Sequence, residues 1–255
     1  VLYVTNENFN TVSLEVTGAV SNPCVGLGMI LKGYEKGRET RPLSIRFIGN
    51  ITNADLSQLL SDVNGLQLKG KNNSIPTQIT LEGIGDDATV THFGFAIIGA
   101  NNVEIRNLGF MLFNDDGISI KGAYKVWVHN CDIFYGKAGS ASDQAKGDGS
   151  LDVKDNTQYA TFSYVHFWDS GKMSLCGMKS ETGPNYITYH HNWFDHSDSR
   201  HPRIRTMTVH VYNNYYDGNA KYGVGATMGS SVFVEGNYFR AVNRPMMSSR
   251  QGTDA

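Results

Sequence analysis

Hydrophobic residues in this chain fall at alternate positions in short bursts, and the bursts repeat. Six windows align: VEIRNLGF from Val103, VWVHNCDI from Val126, ATFSYVHF from Ala160, ITYHHNWF from Ile187, VHVYNNYY from Val209 and VFVEGNYF from Val232. Positions one and three are mostly β-branched or aromatic, the period-two alternation of a strand with one buried face. Position eight reads Phe, Ile, Phe, Phe, Tyr, Phe, and position six becomes Asn192, Asn214 and Asn237 in the last three windows. A stretch ITLEGIG from Ile79 lies about one period upstream and extends the series.

The windows begin 23, 34, 27, 22 and 23 residues apart. Near-equal spacing of equivalent residues means that each copy is one turn of a coil, stacked on the next at about 4.8 Å. Strands of a β-sandwich would recur every 8–12 residues or so, without matching columns. The pattern therefore predicts an all-β, single-stranded right-handed parallel β-helix. Its apolar residues should form a continuous column, with asparagine amides hydrogen-bonding from coil to coil. LSIRFIGNI reads as an early strand, and TNADLSQLLSDVNG as a short helix capped by Asn53. No linker breaks the pattern, so one domain is expected over 1–255, with N-terminal coils and the short helix in 1–75 and the repeat coils, carrying the site, in 76–255.

Composition agrees with this picture and narrows the chemistry. Twenty-eight glycines against six prolines suit a turn-rich β protein. A net charge of −2 gives no global attraction to nucleic acid or to an anionic membrane, so any recognition of charge must be local. Three scattered cysteines, Cys24, Cys131 and Cys176, lack zinc-ligand spacing and allow at most one disulfide. No apolar run approaches the roughly 20 residues of a membrane span. No secretory signal opens the chain, although a mature secreted protein would have lost one. The abrupt start at Val1 and stop at Ala255 read as trimmed ends.

A coil of about 23 residues is nearly all strand and tight turn, so the longer intervals must carry extra loop, where function collects on rigid scaffolds. The first contains GDGSLDVKD, in which Leu151 and Val153 alternate with Asp152 and Lys154; Asp152 therefore points outward, and Asp148 shares its face. One coil earlier, FNDDGISIK places Asp116 at the start of the equivalent strand. Carboxylates on neighbouring coils repel unless a cation joins them, and an all-oxygen cluster suits Ca²⁺; solvated turn aspartates are the plainer alternative. The next coils bring Lys172 in SGKMSL and then SDSRHPRIR, with three arginines in six residues. Acidic rungs beside basic rungs make sense if an anionic polymer bridges a bound cation and the bases.

Taken together, VWVHNCDIF, GDGSLDVKD, ITYHHNWF, SRHPRIR and VHVYNNYYDG resemble the extracellular pectate lyases of polysaccharide lyase family 1, within the pectate/pectin lyase superfamily. The likeness runs from about residue 79 to 250. It implies calcium ligands at Asp116, Asp148 and Asp152, substrate-carboxylate contacts from Lys172 and Arg205, and Arg200 as the Brønsted base. It further implies a secreted, monomeric enzyme that cleaves polygalacturonate by β-elimination. A guanidinium ordinarily holds its proton above pH 12, so such a base predicts an alkaline optimum. Where relatives often carry Asp-His, this chain has His129 and Asn130, and Asp148 stands where some have Glu.

Three other readings remain open. Pectin lyases of the same fold act without calcium on esterified substrate. A polygalacturonase-type hydrolase would use an acid pair such as that in NDDG. A non-catalytic β-helix would bind the polymer without cleaving it. His190 and His191 are expected to be structural, whereas His196 and His201 flank the arginine run and could reach substrate. Trp127, Trp168 and Trp193 could stack on sugars, but aromatic positions that follow the repeat are expected in the core.

Overall fold

The fold was read from a computed structural model that describes residues 1–52, 65–71, 75–138 and 146–249. Its three ladders of parallel strands follow directly from the repeat. The first runs through Leu66–Lys69, Phe95–Ile98, Ile118–Lys121, Leu151–Lys154, Leu175–Cys176, Arg203–Arg205, Val224–Thr227 and Met246–Ser249. The second stacks Leu43–Ile51, Ile79–Thr91, Asn101–Arg106, Tyr124–His129, Gln158–Ser163, Ile187–His190, Thr208–Tyr212 and Ser231–Glu235. The third branches from the end of Ile79–Thr91, which bends to pair with Gly109–Met111, and continues through Asp132–Ile133, His166–Trp168, Trp193–Asp195, Tyr215–Asp217 and Tyr238–Arg240. The chain winds through the three ladders in turn, as a right-handed parallel β-helix.

Register agrees with the sequence windows residue by residue. Ile79, Val103, Val126, Ala160, Ile187, Val209 and Val232 form a single column of paired residues. Position five of every window, Asn107, Asn130, Tyr164, His191, Asn213 and Gly236, has φ between 51 and 60°. This left-handed residue turns the chain sharply from the second ladder into the third. It is cheap for Gly and Asn and costs more for Tyr164 and His191.

Inside the coil, Phe167, Phe194, Tyr216 and Phe239 stack face to face, with successive ring centroids 5.1, 4.8 and 4.5 Å apart. Beside them the asparagine ladder forms. The side-chain amide of Asn192 donates to Asn214 Oδ1 at 3.0 Å, and that of Asn214 to Asn237 Oδ1 at 2.9 Å. Each amide also donates to a backbone carbonyl of the coil before it, Phe162, Tyr189 and Val211 in turn. Unpaired amides at such depth would cost about 1–3 kcal/mol each; here each one satisfies the next.

Not every expectation held. Trp168 is half-buried, and Trp127 and Trp193 are not core residues, being 46% and 40% exposed. These two occupy outward positions of the strands and stack on histidines instead, Trp127 on His129 and Trp193 on His166. All three cysteines are buried free thiols. The helix expected after Asn53 lies outside the described residues. A different helix, Leu27–Tyr34, buries Leu27, Ile30, Leu31 and Tyr34 against the first coils. Among the described residues no helix is long and apolar enough to cross a membrane.

Candidate active site

The predicted site residues all lie on the first ladder or the turns leading into it, on consecutive coils. Asp116 precedes Ile118–Lys121, and Ile118 pairs with Leu151 on the next coil. Gly149 pairs with Lys172, and Lys172 with Ser199. Moving up the stack, one therefore meets Asp116, then Asp148 with Asp152, then Lys172, then Arg200 with Arg205.

The acids converge. Carboxylate oxygens of Asp115, Asp116 and Asp148 all lie within 4.8 Å of one another. Asp152 joins them through a lysine: Lys154 Nζ is 3.1 Å from Asp116 Oδ2 and 3.0 Å from Asp152 Oδ2. The second oxygen of Asp152 accepts the Leu175 backbone N–H at 2.9 Å. Asp116 and Asp152 are only 2% and 3% exposed. Burial, with the neighbouring Asp152 and Asp115 charges, pushes the Asp116 carboxyl up to about 8. Burial and Asp148 likewise raise Asp115. Burial alone would lower the Lys154 ammonium, but Asp152 and Asp116 outweigh it and hold it above its ordinary value.

Glycine is required at the centre of this cluster. A Cβ on Gly149 would stand 2.5 Å from Asp152 Oδ1 and 2.9 Å from Asp116 Oδ1. The backbone is thus bare where the two carboxylates approach. Oxygen donors crowded on one point, with a buried carboxyl short of positive charge, fit a hard cation such as Ca²⁺. Among the described residues the oxygens within mutual reach are those of Asp115, Asp116 and Asp148, with Asp152 adjoining them through Lys154.

Lys172 reaches the acids from the next coil, its Nζ 3.5 Å from Asp148 Oδ1. Arg200 sits on an irregularity. Lys172 pairs with Ser199 and Leu175 with Arg203, so three steps on one coil (172 to 175) face four on the next (199 to 203). The surplus residue makes a β-bulge, a device that re-aims a side chain. Arg200 takes φ 69° within it, and its carbonyl accepts Ser174 N–H at 2.8 Å. Its Nε is buried with no hydrogen-bond partner. Arg205, on the strand face opposite buried Ile204, is half-buried, while Arg203 is buried at 2% exposure.

The bulge rests on His201, which is fully buried and not placed to touch substrate. The carbonyl of Tyr222, 2.6 Å from Nδ1, can only accept, so Nδ1 carries the proton and Nε2 accepts from the Ser197 hydroxyl at 2.5 Å. Burial keeps this imidazole neutral, pushed down to about 4. His196, by contrast, is exposed and bonded to Asp195.

Sequence reasoning passed over Asp115 and Lys154 as site residues. Both carried a signal: Asp115 is the first acid of NDDG, and Lys154 follows Asp152 by two residues on the same strand face. A second group of potential metal donors, Asp195, His196 and Asp217, is already neutralised. Arg240 holds Asp217 through two bonds of 2.8 and 2.5 Å, and His166 and His196 hold Asp195.

A parallel β-helix with carboxylates and bases on consecutive coils of one outer face is an architecture that known proteins share. The pectate lyase family model matches residues 39–254. A pectate trisaccharide-lyase of Bacillus licheniformis is 32% identical over 214 residues, 81% of this chain and 58% of its own. Pectate lyase 2 of Pectobacterium carotovorum is 27% identical over 94% of this chain and 69% of its own. A pectate lyase from Bacillus sp. N165, solved in complex with trigalacturonate, superposes with TM-score 0.71 at 26% identity, covering 93% of this chain and 69% of that one. The chain belongs to the pectate lyase family. It spans little more than half the length of the Bacillus licheniformis relative.

Proposed function

We propose that this chain is a calcium-dependent pectate lyase that cleaves α-1,4-polygalacturonate by β-elimination, outside the cell and as a single chain. The observation that carries the reading is the run of coils placing the carboxylates of Asp115, Asp116 and Asp148 within 4.8 Å of one another, next to Lys172 and the Arg200 bulge.

In this reading Asp116, Asp148 and Asp152 hold Ca²⁺. Bound there, the ion would neutralise a uronate carboxylate and make the neighbouring C5 proton more acidic. Lys172 and Arg205 hold the same polymer through its carboxylates and leave the reacting sugar fixed across the face. Arg200 removes the C5 proton. The C5–H electron pair becomes the C4=C5 bond, the C4–O bond breaks, and the departing oxygen takes a proton from water. Positive charge from Lys172 and Arg205 stabilises the anion developing on the carboxylate. His201 lies beneath the bulge and fixes its backbone without meeting the sugar.

Hydrolysis fits the geometry less well. It needs two carboxyl groups facing each other across the scissile bond, about 5–5.5 Å apart for retention and about 6.5–9.5 Å for inversion. The acids here gather at one point with an ammonium between two of them, rather than standing apart as an opposed pair.

The test is the ultraviolet absorbance of the unsaturated product, followed on polygalacturonate with and without EGTA. A steady rise that chelation abolishes supports the reading. A rise untouched by EGTA points to a pectin lyase. New reducing ends without absorbance indicate a hydrolase, and binding with no product a non-catalytic β-helix.

A further inference from the structure

Lys154 is placed as a cation would be. Its ammonium stands between the Oδ2 atoms of Asp116 and Asp152, at 3.1 and 3.0 Å. All three side chains are withdrawn from solvent, at 18%, 3% and 4% exposure for Lys154, Asp116 and Asp152. We propose that Lys154 is a tethered counter-ion that occupies part of the cation position between Asp116 and Asp152 and thereby sets how tightly the site holds a divalent ion. The proposal rests on the calcium reading above.

Both oxygens of Asp152 are engaged, Oδ1 by the Leu175 N–H and Oδ2 by Lys154. A divalent ion must therefore share Asp152 with the ammonium or displace it. The same holds for Asp116 Oδ2, whereas Asp116 Oδ1 is directed past Gly149, where no Cβ intervenes.

Unpaired, Asp116 and Asp152 would be buried like charges, strongly unfavourable to folding. With Lys154 present the coils can form before calcium arrives, and the ion then binds against the repulsion of a resident positive charge. Lys154 is thus a positioning residue: it holds two ligands in place and weakens the ion's grip on them.

The test titrates CaCl₂ by calorimetry into chelator-stripped wild type, Lys154→Met and Lys154→Arg, and melts each in EGTA and in saturating CaCl₂. Lys154→Met should bind calcium about tenfold or more tightly, because a like charge within contact distance has gone. It should melt below wild type in EGTA, and calcium should close most of that gap. Lys154→Arg should track wild type in both. Unchanged or weaker calcium binding by Lys154→Met overturns the proposal, as does a melting deficit equal in EGTA and calcium, which is what a merely structural strut gives. If wild type takes up no calcium but Lys154→Met does, the calcium reading of the wild type fails while the counter-ion assignment stands. If neither binds, both fail.

Discussion

Ser197 and His201 lie 2.5 Å apart, hydroxyl to Nε2, on either side of the residue assigned as base. The pair closes the Arg200 bulge from beneath, and Tyr222 holds the other ring nitrogen. Replacing the ring leaves buried polar groups without partners, at about 1–3 kcal/mol. His201→Ala should lose about that much stability in urea denaturation. Its kcat on polygalacturonate should fall about tenfold or more, with calcium affinity, measured by titration, unchanged.

The same histidine gives a pH signature. Its folded-state value is pushed from 6.5 down to about 4, so between those values the unfolded chain binds the extra proton and the folded one does not. The stabilisation is complete above pH 6.5 and is lost as pH falls toward 4, by about 3 kcal/mol in all. His201→Gln should show a correspondingly flatter decline than wild type in denaturation curves between pH 7 and 4. Parallel curves for the two proteins would count against a neutral buried imidazole.

The asparagine ladder should be strongest at its middle. Asn214→Ala removes the acceptor for both the backbone and side-chain N–H groups of Asn192, at 2.9 and 3.0 Å. A loss of about 2–4 kcal/mol is expected. Asn237, more exposed at the end of the row, should cost less when replaced by Ala. Equal losses at the two positions would mean that the bonds do not add up along the column.

Gly149→Ala tests the crowding of the carboxylates. The added methyl would meet Asp152 and Asp116 oxygens at 2.5 and 2.9 Å, so one of the two must give way. Calcium affinity should drop about tenfold or more, and the melting curve in EGTA should fall as well, because the displaced Asp152 Oδ1 also accepts the Leu175 N–H. Undiminished calcium binding would show that the acids do not act together there.

Much of the fold was legible because a strand's period of two and a coil's near-constant length leave their marks together. The column from Ile79 to Val232 could be read from alternation and spacing alone. The helix Leu27–Tyr34 could not, since it begins after Gly26 with no side-chain cap and contains two further glycines. Trp127 was misjudged as core although it alternates with buried Val126 and Val128, a position that the period of two turns outward. In the site, the chemistry of Asp116, Asp148, Asp152, Lys172, Arg200 and Arg205 was visible as residue types in a rising series. The Arg200 bulge was not, because a one-residue surplus exists only relative to the coil that Leu175 and Lys172 define. Lys154 was overlooked because an alternating lysine on a strand usually faces water.

The central claim is geometric, and diffraction tests it most directly. Crystals of Arg200→Ala soaked with CaCl₂ and a galacturonate oligomer should show an ion about 2.3–2.6 Å from oxygens of Asp116, Asp148 and Asp152. One sugar should bridge that ion to Lys172 and Arg205, with its C5 proton turned toward the emptied Arg200 position. Oligomer bound on another face, or an ion absent from these three aspartates, would contradict the account.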